Sequence, residues 1–112
     1  MITGFERETH KLTDEECRMI KPMVNGLKDH VGKNNPVTSN EIMAGMKKIG
    51  FKINGARVRK LINFIRVTKR VPNLIATSFG YYIATSPAEL EKYKRSLDER
   101  ISAIKMVRES FN

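Results

Sequence analysis

One local pattern, repeated three times, constrains this chain before anything else does. A Ser or Thr followed three residues later by Glu occurs at Thr13 and Glu16, Thr38 and Glu41, and Ser86 and Glu89, each time just ahead of an apolar periodic stretch. In such a capping box the cap hydroxyl accepts the N–H three residues ahead, while the carboxylate reaches back to the cap's own N–H. Two of the unpaired donors at a helix start are then satisfied, so three helix starts are placed. Leu12 with Cys17 and Val37 with Ile42 add hydrophobic staples across two of them. Asn54 makes a fourth, boxless cap, with Ile53 and Val58 at staple spacing.

The stretches behind these caps have helical period. The first runs from about Asp14 to about Asp29, with Cys17, Ile20, Met23, Val24, Leu27 and Val31 as its buried stripe. Pro22 inside it leaves the Arg18 carbonyl without a partner and predicts a kink or a break. Gly32 to Asn35 reads as a turn, and Val37 as no more than a bridge of strand. A second helix covers about Ser39 to Ile49, buries Ile42, Met46 and Ile49, and stops at Gly50 in the left-handed position. A third covers about Gly55 to Thr68 with Val58, Leu61, Ile62 and Ile65 inward.

After Pro72, where an edge strand can begin, the period changes. Leu74 to Thr77 and Tyr81 to Ala84 are short β-rich runs separated by Ser78, Phe79 and Gly80, which predicts a hairpin with a three-residue loop. Pro87 then opens a fourth helix that continues to about Ser110, roughly 36 Å long. Leu90, Leu97, Ile104 and Phe111 recur every seven residues along it, with Tyr93, Ile101 and Val107 filling the same stripe. Such length exceeds what a small domain needs to cover itself, so the stripe is expected to form a homodimer; the alternative is that it packs back on the first helix. The fold class is mainly α with a small β-hairpin (α+β), in a single domain over 1–112 with its core at about 12–85 and the C-terminal helix at about 87–110.

Composition excludes several classes of function. Cys17 is the sole cysteine, so no internal disulfide forms, and with two histidines beside it there is no cluster spaced for a metal. Cys17 reads as a small core residue. No apolar run reaches the ~18 residues of a membrane span, and the acidic residues of MITGFERETHK do not suit a signal peptide, so a cytoplasmic protein is expected. The hydroxyls of Thr13, Ser39 and Ser86 are used at helix starts, no histidine stands near a nucleophile in any motif, and no glycine-rich loop follows a strand. Neither enzyme activity nor a cofactor is expected.

The charge is unevenly distributed. The chain carries 21 Lys+Arg against 12 Asp+Glu, net +9, and residues 36–85 hold nine basic and one acidic, net +8. Such concentration predicts a positive face and a polyanionic partner. On the third helix Ala56, Lys60, Asn63 and Val67 point away from the apolar side, flanked by Arg57 and Phe64 on one edge and Arg59 and Arg66 on the other. Small residues near the start allow close approach, and Arg and Asn supply donors for base edges. Arg57, Lys60 and Asn63 are the expected base contacts. Arg59, Arg66, Lys69 and Arg70 are expected on phosphates, with Lys47, Lys48 and Lys52 beside them and the open N–H groups near Gly55 and Ala56 as a further phosphate site. Phe64 is expected to complete the core against the second helix, and the hairpin tip, Ser78 and Phe79, to meet a groove or a protein.

The order helix, short strand, helix, helix, hairpin, helix resembles a winged helix-turn-helix domain over residues 12–85. GARVRKLINFIR followed by LIATSFGYYIA is also similar to small winged-helix proteins of phages and related mobile elements. The resemblance implies double-stranded DNA binding with the third helix in the major groove and the hairpin as a wing on the neighbouring backbone, in a transcriptional regulator or a phage replication or packaging accessory. Phe79 departs from the pattern of a basic wing. The alternatives are a protein-interaction adaptor on the same scaffold, and RNA or single-strand binding.

Overall fold

The structure is a computed structural model that describes residues 12–111; residues 1–11, His10 among them, and Asn112 lie outside the described residues. The elements are α1 (Asp14–Leu27), α2 (Ser39–Lys48), α3 (Gly55–Val67), β1 (Leu74–Thr77), β2 (Gly80–Ile83) and α4 (Pro87–Glu109). The chain is thus mainly helical with one antiparallel hairpin.

The capping boxes at Thr13 and Thr38 close in both directions. The third does not. Ser86 accepts the Glu89 N–H at 3.3 Å, but the Glu89 carboxylate takes the Thr85 N–H at 3.1 Å together with the Thr85 hydroxyl instead of the cap's own N–H. Asn54 caps α3 through the Arg57 N–H at 2.8 Å. Pro22 does not break α1, which runs unbroken through it.

The inward stripe of α1 is Glu16, Met19, Ile20, Met23 and Leu27, so Ile20, Met23 and Leu27 face inward as expected and the stripe as a whole is turned by about half a residue. Cys17 is exposed, and Val31 beyond the helix end is 50% exposed. Glu16 takes the inward place at the helix start that the spacing assigned to Cys17. These α1 side chains meet Met46 of α2 and Val58, Leu61, Ile62 and Ile65 of α3 in one core. Ile49 falls past the end of α2 and is 56% exposed, correcting its expected burial.

The hairpin pairs Leu74 with Ile83, Ile75 with Tyr82, Ala76 with Tyr81 and Thr77 with Gly80. Its loop is therefore the two residues Ser78 and Phe79, one fewer than expected, with Gly80 inside the ladder at φ +125°. A close crossing demands that glycine. Val37 exchanges both backbone hydrogen bonds with Tyr81, at 2.9 and 2.8 Å, and a Cβ on Gly80 would overlap the Val37 carbonyl. Leu74, Ala76, Tyr81 and Ile83 face the helical core, whereas Ile75 and Tyr82 share a groove with Glu89, Tyr93 and Ser96 of α4. Both faces of the hairpin are thereby covered, and the start of α4 is anchored.

Beyond that anchor α4 leaves the core. None of its residues is buried, and Ile101, Ile104, Val107 and Phe111 are 62%, 69%, 60% and 83% exposed. The second half of the helix therefore does not pack back on α1. The radius of gyration, 15.3 Å, exceeds the about 13 Å of a compact chain of similar length.

Candidate nucleic-acid interface

Because α3 commits Val58, Leu61, Ile62 and Ile65 to the core, its opposite side is left outward: Ala56, Arg59, Asn63 and Val67 are all exposed. The helix carries Arg57, Arg59, Lys60 and Arg66 and no acid. Its first turn also lacks the Asp or Glu found in the first turn of α1, α2 and α4. The Arg59 guanidinium folds back over the helix start, its Nη1 3.6 Å from where a Cβ of Gly55 would stand. A full positive charge thus lies beside the positive end of the helix dipole, at Gly55 and Ala56.

Two of the three residues expected to reach bases are turned elsewhere. The Arg57 Nε donates to Glu16 Oε2 at 3.1 Å and its Nη1 to Glu15 Oε1 at 3.1 Å, while the Lys60 Nζ donates to Glu16 Oε1 at 2.9 Å. Glu16 is 2% exposed. A carboxylate that deep requires opposite charge and hydrogen bonds around it, and these two cations provide them. Burial pushes the Glu16 carboxyl up; the Thr13 N–H, Lys60 and Arg57 outweigh that and hold it below its usual 4.5. Arg57 and Lys60 consequently fasten α3 to the first turn of α1, and of the expected base contacts only Asn63 stands clear.

Arg66 is also engaged, donating to the Tyr93 hydroxyl at 2.7 Å with its guanidinium 5.6 Å from that ring's centroid. Near this point α4 meets the end of α3. Arg70 stacks on Phe64 at 4.8 Å. Phe64 lines a groove with Leu12, Cys17, Ile20 and Val24, so it completes the α1 side of the core and not the α2 side expected for it.

The remaining cations are exposed: Lys47 and Lys48 in the last turn of α2, Lys52 in the connection to α3, and Lys69 just past its end. Lys69 has φ +57°, a left-handed conformation unusual outside glycine. At the hairpin tip Ser78 and Phe79 are exposed, Phe79 at 78%.

The pairing of Glu15 and Glu16 with Arg57 and Lys60 is what reading along the chain missed. The signal was there in the charge pattern: three acids crowd the first turn of α1 while α3 has none. Which cations would answer them depends on how α1 and α3 cross, and spacing along one helix does not carry that.

Elsewhere, the groove between α1 and α2 is lined mostly by apolar side chains and glycines, including Pro22, Met23, Gly26, Ile42, Gly45 and Met46. Its two ionisable groups are occupied structurally: Glu41 at the Thr38 cap, and His30 Nδ1 at the Asn35 carbonyl, 3.0 Å away. Among the described residues no group of three or more His, Cys, Asp or Glu is placed to hold a metal, and no helix is long and apolar enough to cross a membrane. In comparisons with known proteins, no family model, no curated protein and no solved structure matches this chain.

Proposed function

We propose that this chain is a winged-helix protein that binds double-stranded DNA, with α3 entering the major groove and the β1–β2 hairpin as the wing. The observation that carries the reading is the outer face of α3, where Arg59 and Asn63 stand exposed on a helix without a single acid. Arg and Asn are suited to read guanine and adenine edges, and Ala56 allows the backbone to come close. On this reading Arg59 and Asn63 are the base contacts. Lys47, Lys48, Lys52, Lys69 and Arg70 contact phosphates, and Arg57 and Lys60 hold the helix in place while adding partial charge at its margin. The protein then acts as a transcriptional regulator or as a replication or packaging accessory of a phage, by binding and not by catalysis. One observation favours a second reading, a protein-interaction adaptor: Phe79, 78% exposed, puts an apolar ring where phosphate binding calls for a cation.

The test is a gel shift with Arg59→Glu combined with Asn63→Ala. Both residues are exposed, so the melting temperature should stay within about 2 °C of the parent. Duplex affinity should fall at least about tenfold, since each good base contact is worth ~1–3 kcal/mol. Parental affinity in the double variant would refute the α3 assignment.

A further inference from the structure

The second half of α4 presents an apolar surface that none of the described residues covers. Seven-residue spacing puts Leu90, Leu97 and Ile104 on one helix face with a drift of only ~20° per heptad, and Phe111 follows in the turn just past the helix end. The structure divides that stripe: Leu90, Tyr93 and Leu97 are half-buried near the chain's own core, whereas Ile101, Ile104, Val107 and Phe111 are 60–83% exposed. Residues 98–109 extend about three turns past Leu97, a length at which an unsupported helix is marginal in water.

We propose that the occupant is a second copy of this chain, lying antiparallel along the exposed half of α4 with Ile104 near the two-fold axis. Charge selects the partner. Residues 98–111 hold Asp98, Glu99 and Glu109 against Arg100, Lys105 and Arg108, three of each sign, so two such segments approach without net repulsion and neither attracts a strongly charged partner. Area supports the same choice. Ile101, Ile104, Val107 and Phe111 expose roughly 500 Å² per copy, so a pair buries about 1,000 Å² before Leu97 and Met106 are added, the lower bound of a stable specific interface.

Orientation follows from the division of the stripe. In each copy the core lies on the stripe side of residues 90–97. A parallel pair would drive two cores into one volume, each with its net +8 segment. Turned antiparallel about Ile104, Leu97 meets Phe111 of the other copy and Ile101 meets Val107. The two cores then sit at opposite ends, with the Leu97 positions ~21 Å apart along the axis.

Sedimentation equilibrium on the full chain up to about 200 µM should give twice 12.8 kDa, undiminished in 1 M salt because the contact is apolar. Ile104→Glu with Val107→Glu should give a monomer whose melting temperature falls no further than loss of the pairing requires. In a Cys17→Ser background, oxidation should self-link the Ile104→Cys chain, and should link the Leu97→Cys chain to the Phe111→Cys chain when the two are mixed. A monomeric parent, or a dimer that persists in the double Glu variant, overturns the proposal. Self-linking of the Leu97→Cys or the Phe111→Cys chain alone overturns the antiparallel arrangement.

Discussion

Glu16 shows how one residue redistributes the roles of its neighbours. It sits at the third position of a capping box, where sequence places it, but also on the inward stripe of α1, where a carboxylate was not expected. Once buried it required partners, and Arg57 and Lys60 were the cations within reach. Its pKa is lowered in the fold, so its stabilising effect is complete above the ordinary carboxylate pKa and is lost as pH falls through the lowered value. Glu16→Gln keeps an oxygen for the Thr13 N–H but removes the charge. Stability at pH 7 should fall by about 1–2 kcal/mol, discounted because both cations are partly solvated. The gap between variant and parent should narrow as pH falls below the ordinary carboxylate value and through the lowered one, because the parent's own carboxyl then takes up its proton. Thermal melts at pH 7, 5 and 3 check this, and a gap that widens on acidification would contradict it.

At the scale of elements, α2 and α3 end in the same motif with different residues at its left-handed position. After α2, Gly50 at φ +94° lets the Phe51 N–H reach the Met46 carbonyl and the Gly50 N–H reach that of Lys47. After α3, Lys69 at φ +57° does the same for the Arg70 N–H to Ile65 and its own to Arg66. A lysine there costs about 1 kcal/mol more than glycine. Under the proposed function that cost retains a cation beside the DNA. Lys69→Gly should therefore raise stability by about 0.5–1 kcal/mol in denaturant melts while weakening duplex binding several-fold. A variant that gains stability and loses no affinity would remove Lys69 from the interface.

Legibility at this scale followed the range of the determining contacts. Helix starts, the Gly50 stop and the inward face of α3 are set within a turn or two of chain, and sequence reached them. The Glu89 contact to Thr85 and the two-residue loop at Ser78 and Phe79 were missed. So were the α1 register and the side on which Phe64 packs. The loop length is tied to the Val37 crossing over Gly80, and the α1 register to a buried ion pair with α3; both join segments tens of residues apart.

For the whole molecule, the expected cationic ridge divides into two populations. Arg57, Lys60, Arg66 and Arg70 are tied to Glu15, Glu16, Tyr93 and Phe64, whereas Arg59 is exposed on α3 and Lys47, Lys48, Lys52 and Lys69 are exposed at the end of α2, in the α2–α3 connection and just past α3. The α4 anchor approaches α3 near Arg66 and leaves its first two turns open. Two cores at opposite ends of a paired α4 would present two such faces related by a two-fold axis, which fits an inverted repeat with half-sites about one helical turn apart. The central claim is that the exposed cations meet phosphates together, and the salt dependence of duplex binding reads this most directly. With about five phosphate contacts, affinity for a random duplex should fall roughly a hundredfold or more between 50 and 200 mM salt, and the slope should lessen by close to one unit in Lys48→Ala. Affinity that is flat across that range, or a slope unchanged in the variant, would contradict the account.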